Sequence, residues 1–146
     1  MPGNSVLNKV MAFGNRTMSR LYAKSNGRIG GKVKGLPVLV LTVRGRKSGA
    51  ERKAPVAYFD KDGAYVVVGS GGGSKETPQW FQNLAATDRA RVLIGEVTRD
   101  VSVRIAEGAE LKQLWDGLVL PRAAFFADYE KKSGRTIPIA VLTPTI

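Results

Sequence analysis

Neither cysteine nor histidine occurs among the 146 residues. Without cysteine there is no disulfide framework and no thiolate chemistry. Without histidine there is no imidazole acid-base catalysis, no Ser-His triad and no zinc site of the usual kinds. No apolar run approaches the ~18 residues that a membrane span needs. The N-terminus lacks the continuous apolar core of a secretory signal. A cytosolic chain without a metal centre is the simplest expectation. Acidic residues are few: 12 Asp and Glu face 23 Lys and Arg, a formal net charge of +11. Such an excess draws polyanions, whether nucleic acid, acidic lipid or a phosphorylated or carboxylated small molecule. The apolar share, 43%, is that of an ordinary globular chain long enough for one real core.

Positive charge is concentrated in Gly45-Arg46-Lys47-Ser48-Gly49-Ala50-Glu51-Arg52-Lys53-Ala54-Pro55. Apolar, β-rich runs flank it at 36–43 and 56–59, so a hairpin connection between two strands is expected. Gly45 and Gly49 permit a tight turn. Backbone amides beside Arg46, Lys47 and Ser48 then form a cradle in which charge and hydrogen bonding both favour an anion. Arg46 and Lys47 are accordingly expected to act on ligand binding and not on folding. A turn that is merely soluble is the other reading of the same residues.

The rest of the chain divides around this turn. Residues 4–22 read as a helix with Leu7, Val10, Met11, Met18, Leu21 and Tyr22 near one face. Lys9, Arg16 and Arg20 lie mostly off it. Such a helix packs on the domain or rests on an anionic membrane surface. Residues 25–35 carry Gly27, Gly30, Gly31 and Gly35 among the cations Arg28, Lys32 and Lys34, and read as a flexible connector. The expected division is therefore 1–35, helix and connector, and 36–146, the folded domain. Asp62-Gly63 is a hairpin turn before a third strand at 64–69. The loop Ser70-Gly71-Gly72-Gly73-Ser74 runs into a helix at 78–86, with Thr77 as N-cap and Pro78 at the first helical position. It matches neither the Walker A pattern nor the dinucleotide fingerprint. Strands at 91–94 and 97–105, helices at 107–119 and 121–132 divided by Pro121, and a last strand at 136–143, which Pro138 places at an edge or a bulge, complete the chain. The expectation is α+β: about six short, mostly antiparallel strands forming a small barrel-like sheet, since closure disposes of strand edges, with flanking helices.

Five stretches in order carry a resemblance. They are Leu41-Thr42 with Gly45-Arg46-Lys47-Ser48-Gly49; Arg52 and Pro55; Gly69-Ser70 with Gly72-Gly73; Pro78, Trp80, Asn83 and Leu84; and Arg135-Thr136-Ile137-Pro138-Ile139. In this order the chain resembles the deazaflavin (F420)-dependent nitroreductase and quinone reductase family, over about residues 36–144. That resemblance implies a split-barrel oxidoreductase that binds coenzyme F420. It implies hydride transfer from the reduced deazaflavin to an electron-poor acceptor: a quinone, a nitroaromatic or an activated alkene. By matched position, Arg46, Lys47 and Ser48 would hold the cofactor phosphate, with Arg52 nearby. Ser70, Gly72 and Gly73 would offer donors to the ring or its ribityl chain. Pro55 and Val56 would line the ring site, and Trp80 and Asn83 sit in the matching helix. Trp80 is equally well read as a core anchor.

With that cofactor in place, Phe125, Phe126 and Tyr129 are expected to wall the acceptor pocket, Phe125 and Tyr129 sharing one helical face. Tyr129 is the candidate catalytic group, orienting the acceptor oxygen or relaying a proton; ordinary core packing explains the same spacing. The expected partners are a small-molecule acceptor, no nucleic acid and no metal. Peripheral contact with the inner face of a membrane is added through the N-terminal helix, with the protein a monomer or homodimer. Besides a structural membrane-surface protein driven by the N-terminal helix, two alternatives stand beside this reading. One is a split barrel that binds flavin, haem or fatty acid without deazaflavin turnover. The other is nucleic-acid binding through the basic surface, against which no stacking platform interleaves with the cations.

Overall fold

Alternation along 36–44 puts Leu39, Leu41 and Val43 on one face of a strand and Val38 and Val40 on the other. All five are buried, so this strand has a covering layer on each side. The computed structural model describes the backbone of residues 2–145 and the side chains of Met11 and residues 13–145. Within it, strand β2 (Leu36–Arg44) pairs with β3 (Glu51–Lys61) from Val38↔Ala57 to Arg44↔Glu51. The turn Asp62-Gly63, with φ of 51° and 83°, leads into β4 (Ala64–Val68); two consecutive left-handed residues are what a two-residue hairpin requires. Strand β7 (Ile139–Pro144) lies between β4 and β6 (Val97–Ile105), and β6 pairs with β5 (Arg89–Ile94). Strand β5 returns to β2 and closes a six-stranded antiparallel barrel. The closing ladder is short, three residue pairs centred on Leu41↔Val92. The two-residue strand β1 (Lys32–Val33) pairs with β2 outside the barrel. The α+β split barrel is the fold expected from the sequence.

Inside the barrel, Leu39, Leu41, Val56, Tyr58, Val92 and Leu142 meet Phe81 and Leu84 of helix α2 (Gln79–Ala85), which plugs one end. Outside, the late helices cover Phe59, Val66, Val68, Ile139 and Val141. Residues of β4 and β7 are therefore apolar on both faces, as strands sandwiched between layers must be.

Helix α1 spans Pro2–Lys24, longer at both ends than expected. Leu7, Lys9 and Val10 lie outside the described side chains. Of the rest of the expected apolar face, Tyr22 is 2% exposed, while Met11, Met18 and Leu21 are open to solvent, as is Phe13 at 66%. Ser19 is buried with Tyr22 on this helix, and Tyr22 adds polar bonds to the barrel: its Oη donates to the Val38 carbonyl at 2.9 Å and accepts from Gly95 N at 2.8 Å. The connector is not featureless. It contains β1 and the turn Lys34-Gly35, with φ of 48° and 81°.

Three further expectations are corrected. Thr77 is not the N-cap: Pro78 holds that position without a side-chain cap, and the Thr77 hydroxyl accepts instead from Arg135. The first late helix ends sooner. Helix α3 (Gly108–Leu114) passes into a π-helical turn at Trp115–Val119, then α4 (Leu120–Arg122) and α5 (Phe125–Ser133). Pro121 has no N–H and would crowd the carbonyl four residues back; the wider turn, with Leu120 N bonded to the Trp115 carbonyl, absorbs it. The break falls at Ala123, two residues past the proline. Finally, β7 is flanked on both sides and is no edge strand. Pro138 sits just before it, where its carbonyl accepts from Gly69 N at 2.9 Å and no ladder donor is missed.

Candidate functional site

The basic turn between β2 and β3 is shorter than its sequence suggests, because 51–53 already belong to β3. Gly45 N donates to the Ala50 carbonyl at 2.7 Å and Gly49 N to the Gly45 carbonyl at 2.8 Å. Ser48 Oγ accepts from Ala50 N at 3.2 Å. Arg46 does not point outward. Its backbone N–H donates to Asn83 Oδ1 at 3.1 Å, and its guanidinium donates to Asn83 Oδ1 at 2.7 Å, Gln79 Oε1 at 2.9 Å and Gln82 Oε1 at 3.0 Å. Asn83 is buried, so Arg46 satisfies an amide oxygen that water does not reach. The expectation that Arg46 serves the ligand alone is corrected: it fastens the turn to α2. Lys47, Ser48 and Arg52 stay exposed. Among the described residues the Lys47 and Arg52 side chains and the Lys47 and Ser48 amides have no internal partner. Lys53 is engaged by Thr42 Oγ1 at 3.0 Å and Glu51 at 3.7 Å.

Pro55 and Val56 lie on opposite faces of β3, as successive strand residues must. Val56 is buried in the barrel interior, and Pro55 is half-buried on the other side.

The glycine loop is held from outside by Arg135. Its Nε donates to the Ser74 carbonyl at 3.1 Å, and its terminal nitrogens reach the carbonyls of Gly69 (3.1 Å), Ser70 (3.2 Å) and Glu76 (3.3 Å) and the Thr77 hydroxyl (3.4 Å). Burial lowers the pKa of this guanidinium from its ordinary value. Gly71, Gly72 and Gly73 all have positive φ, 56°, 68° and 88°. A Cβ at Gly73 would lie 3.0 Å from Lys132 Cδ and 3.3 Å from Tyr129 Cα, so the loop rests directly on α5. A Cβ at Gly72 would meet nothing within 4 Å. The Gly71 and Gly72 amides make no internal hydrogen bond among the described residues. Ser70 is itself buried.

Of the aromatic residues on α5, Phe126 belongs to the core: it is buried, 6.2 Å from the Phe59 ring and stacked on Phe125 at 4.7 Å. Phe125 and Tyr129, half-buried, meet edge to face at 5.5 Å. Lys34, from the turn before β2, donates to Tyr129 Oη and lies 4.8 Å from the centroids of both rings. Trp80, also half-buried, packs edge-on against Phe81 at 5.5 Å.

These pieces are joined. Arg46 bonds Gln82, whose Nε2 donates to the Thr77 carbonyl at 2.7 Å; Arg135 bonds Thr77 and the glycine loop, which rests on Tyr129. Sequence reasoning gave no role to Arg135, Gln79, Gln82 or Lys34. The available signals were the position of Arg135 just beyond the left-handed Gly134 that ends α5 and the Lys34-Gly35 turn pair. Among the described residues no cluster of acidic groups is arranged to hold a metal.

Residues 14–144 match the model of the F420H(2)-dependent quinone reductase family. The chain is 29% identical over 131 residues to the F420H(2)-dependent quinone reductase Rv1261c of Mycobacterium tuberculosis, covering 88% of each chain. It is 35% identical over 111 residues to the putative F420H(2)-dependent quinone reductase Rv3178 of the same organism, covering 76% of this chain and 92% of that one. Among solved structures, an F420-H2 dependent reductase (FDR-A) superposes with a TM-score of 0.64 at 31% identity, over 73% of this chain and 93% of the other. A structure described as a domain-swapped dimer gives 0.65 at 26% identity, over 97% and 99%.

Proposed function

The chain belongs to the F420H(2)-dependent quinone reductase family, and from that membership we propose how its residues divide the work. It is an oxidoreductase that uses coenzyme F420. The resemblance gives this cofactor a phosphodiester and a carboxylate tail, and the residues present fit such a group. Unpartnered donors stand at two loops, the amides of Lys47 and Ser48 with the Lys47 and Arg52 side chains, and the amides of Gly71 and Gly72. The open space above Gly72 leaves room for a ligand to approach the backbone. When bound, the reduced deazaflavin supplies a hydride. Lys47, Ser48 and Arg52 bind the anionic end. Gly71 and Gly72 donate toward polar atoms nearer the ring, and Pro55 and Trp80 flank it. Arg46 and Asn83 keep the turn in place. Phe125 and Tyr129 wall the acceptor, and the Tyr129 hydroxyl hydrogen-bonds its oxygen. Quinones are the first acceptor class, with nitroaromatics and activated alkenes as further electron-poor candidates.

The observation that supports this most is the pair of donor-rich loops locked to each other through Gln82, Thr77 and Arg135. Fluorescence titration with oxidised deazaflavin and with flavin mononucleotide, at equal salt, tests it. Tighter binding of the deazaflavin is expected; equal or tighter binding of the flavin would refute the assignment. Tyr129→Phe is expected to lower quinone turnover while cofactor affinity stays unchanged.

The N-terminal helix supports a second, separate reading, peripheral contact with an anionic membrane. Exposed Met11, Phe13, Met18 and Leu21 stand beside Arg16, Arg20 and Lys24, and no helix among the described residues is long and apolar enough to cross a membrane. Sedimentation with anionic and neutral vesicles tests this. Binding confined to anionic vesicles and lost in Phe13→Ser is expected. A concentration-dependent dimer without vesicle binding would assign that face to self-association, as in the domain-swapped neighbour.

A further inference from the structure

We propose that Lys34 is a positioning residue for acceptor reduction, acting through Tyr129. The inference rests on the functional reading above and adds a residue that it does not contain. An ammonium has donors and no acceptor lone pair. In the bond between them, Lys34 Nζ must therefore donate and Tyr129 Oη must accept. That polarity leaves the phenolic proton free to be given to a third group. The ammonium also lies 4.8 Å from the ring centroids of Phe125 and Tyr129, so the cation is held over the aromatic pair that walls the proposed acceptor pocket. Gly73 packs on the backbone of Tyr129, which brings the cofactor loop to the same place.

The backbone at Lys34 reinforces the assignment. Its φ of +48° is one that lysine rarely adopts. Asparagine or glycine would suit that turn better, so turn formation does not account for the lysine. What lysine adds is a side chain long enough to cross from the β1–β2 turn to α5, a contact between residues 95 apart in the chain.

The step balances as follows. Hydride reaches one end of a quinone, and negative charge develops on a quinone oxygen. The Tyr129 O–H bond breaks as a new O–H bond forms on that oxygen. The phenolate left behind is paired with the Lys34 ammonium and regains its proton from solvent. Lys34 thus orients the proton donor and stabilises the charge on both sides of the transfer.

Lys34→Asn and Lys34→Arg separate this role from structure, since asparagine suits the left-handed turn and arginine keeps the charge. Three measurements are made on each variant: the deazaflavin dissociation constant, kcat and KM for a quinone, and binding of 4-nitrophenolate to the protein without cofactor. The last reads oxyanion recognition directly and needs no turnover. Lys34→Asn should melt no lower than the unchanged chain and bind deazaflavin normally. Its kcat and its affinity for 4-nitrophenolate should each fall roughly ten- to a hundredfold, the worth of one charge-assisted hydrogen bond. Lys34→Arg should recover most of both. Unchanged kcat and unchanged 4-nitrophenolate binding in Lys34→Asn would overturn the inference alone. So would a loss of deazaflavin affinity matching that of Lys47→Ala, which would place Lys34 on the cofactor. Failure of the unchanged chain to bind deazaflavin would overturn the functional reading and this inference with it.

Discussion

The basic turn and the glycine loop are both short, glycine-bounded and rich in unpartnered amides, yet they are fixed in opposite ways. In the turn the fastening cation belongs to the loop itself: Arg46 reaches out to the side-chain amides of Gln79, Gln82 and Asn83. In the glycine loop the cation arrives from elsewhere, as Arg135 gathers main-chain carbonyls at Gly69, Ser70, Ser74 and Glu76. The glycine loop makes turn bonds of its own, from Gly73 N to the Ser70 carbonyl and from Ser74 Oγ to the Glu76 carbonyl, but the cation that ties it to its surroundings comes from outside. A loop with an arginine can anchor itself and leave its remaining cations for a ligand. The general lesson concerns charge near a site. A cation whose donors are already used shapes its loop, and a cation with unused donors is the one the proposed reading assigns to the ligand.

The largest effect should come from Arg135. Replacing it with methionine leaves several partly buried carbonyls without a donor, each worth about 1–3 kcal/mol if left unpaired. A net loss of about 3 kcal/mol is expected, lowering Tm by about 10 °C, with cofactor affinity falling as the loop loosens. Urea melts and deazaflavin titration on the same sample measure both. Normal stability would show that the loop holds its own shape after all.

Arg46→Ala should follow, with a stability loss of about 1.5–3 kcal/mol because buried Asn83 loses a charged partner. Arg46→Lys should not rescue it, since a single ammonium does not span three separate amide oxygens. A variant that binds poorly but melts normally would return Arg46 to the ligand.

Lys47→Ala and Arg52→Ala should reverse the pattern. Each should weaken cofactor binding roughly tenfold through one lost charge-assisted contact, while stability stays within about 0.5 kcal/mol. Raising salt should weaken the unchanged chain in the same direction. If neither substitution alters affinity, the anion cradle is not at this turn. Ser48→Ala should be the mildest change, about 0.5–1 kcal/mol of stability from the lost bond to Ala50 N, read from the urea midpoint.

Much of this was legible in the sequence, and the limits have physical causes. Runs such as 36–43 and 64–69, bounded by turn pairs like Asp62-Gly63, announce strands because local chemistry alone selects them. A barrel-like sheet was expected because closure disposes of strand edges, and its split-barrel form came with the family resemblance. The destination of a long side chain is not local. Nothing near Arg46 in the chain says that its partners are 33 to 37 residues away, and nothing near Lys34 points to Tyr129. Phe125 and Phe126 are adjacent and chemically identical, yet only packing against Phe59 decides that one joins the core. Helical periodicity placed Met11, Met18, Leu21 and Tyr22 together, but burial reached only Tyr22. Pro138 read as the mark of an edge or a bulge because sequence cannot distinguish a proline inside a strand from one at its threshold.

The barrel has a weak side. Between β2 and β5 it is stitched by three residue pairs, its shortest ladder, against four in β3–β4 and in β4–β7 and seven between β2 and β3. Beside that seam the Tyr22 hydroxyl bridges Val38 of β2 and Gly95, just past the end of β5. A phenol on a helix outside the barrel thus serves as the last rivet of its wall. If the cylinder breathes, it should part here first, and the amides of Val92 and Gly95 should trade hydrogen for deuterium ahead of their neighbours on β6. Lifting α1 away, whether toward a lipid surface or toward another copy, would withdraw that rivet. The outer helix would then govern how readily the cylinder opens.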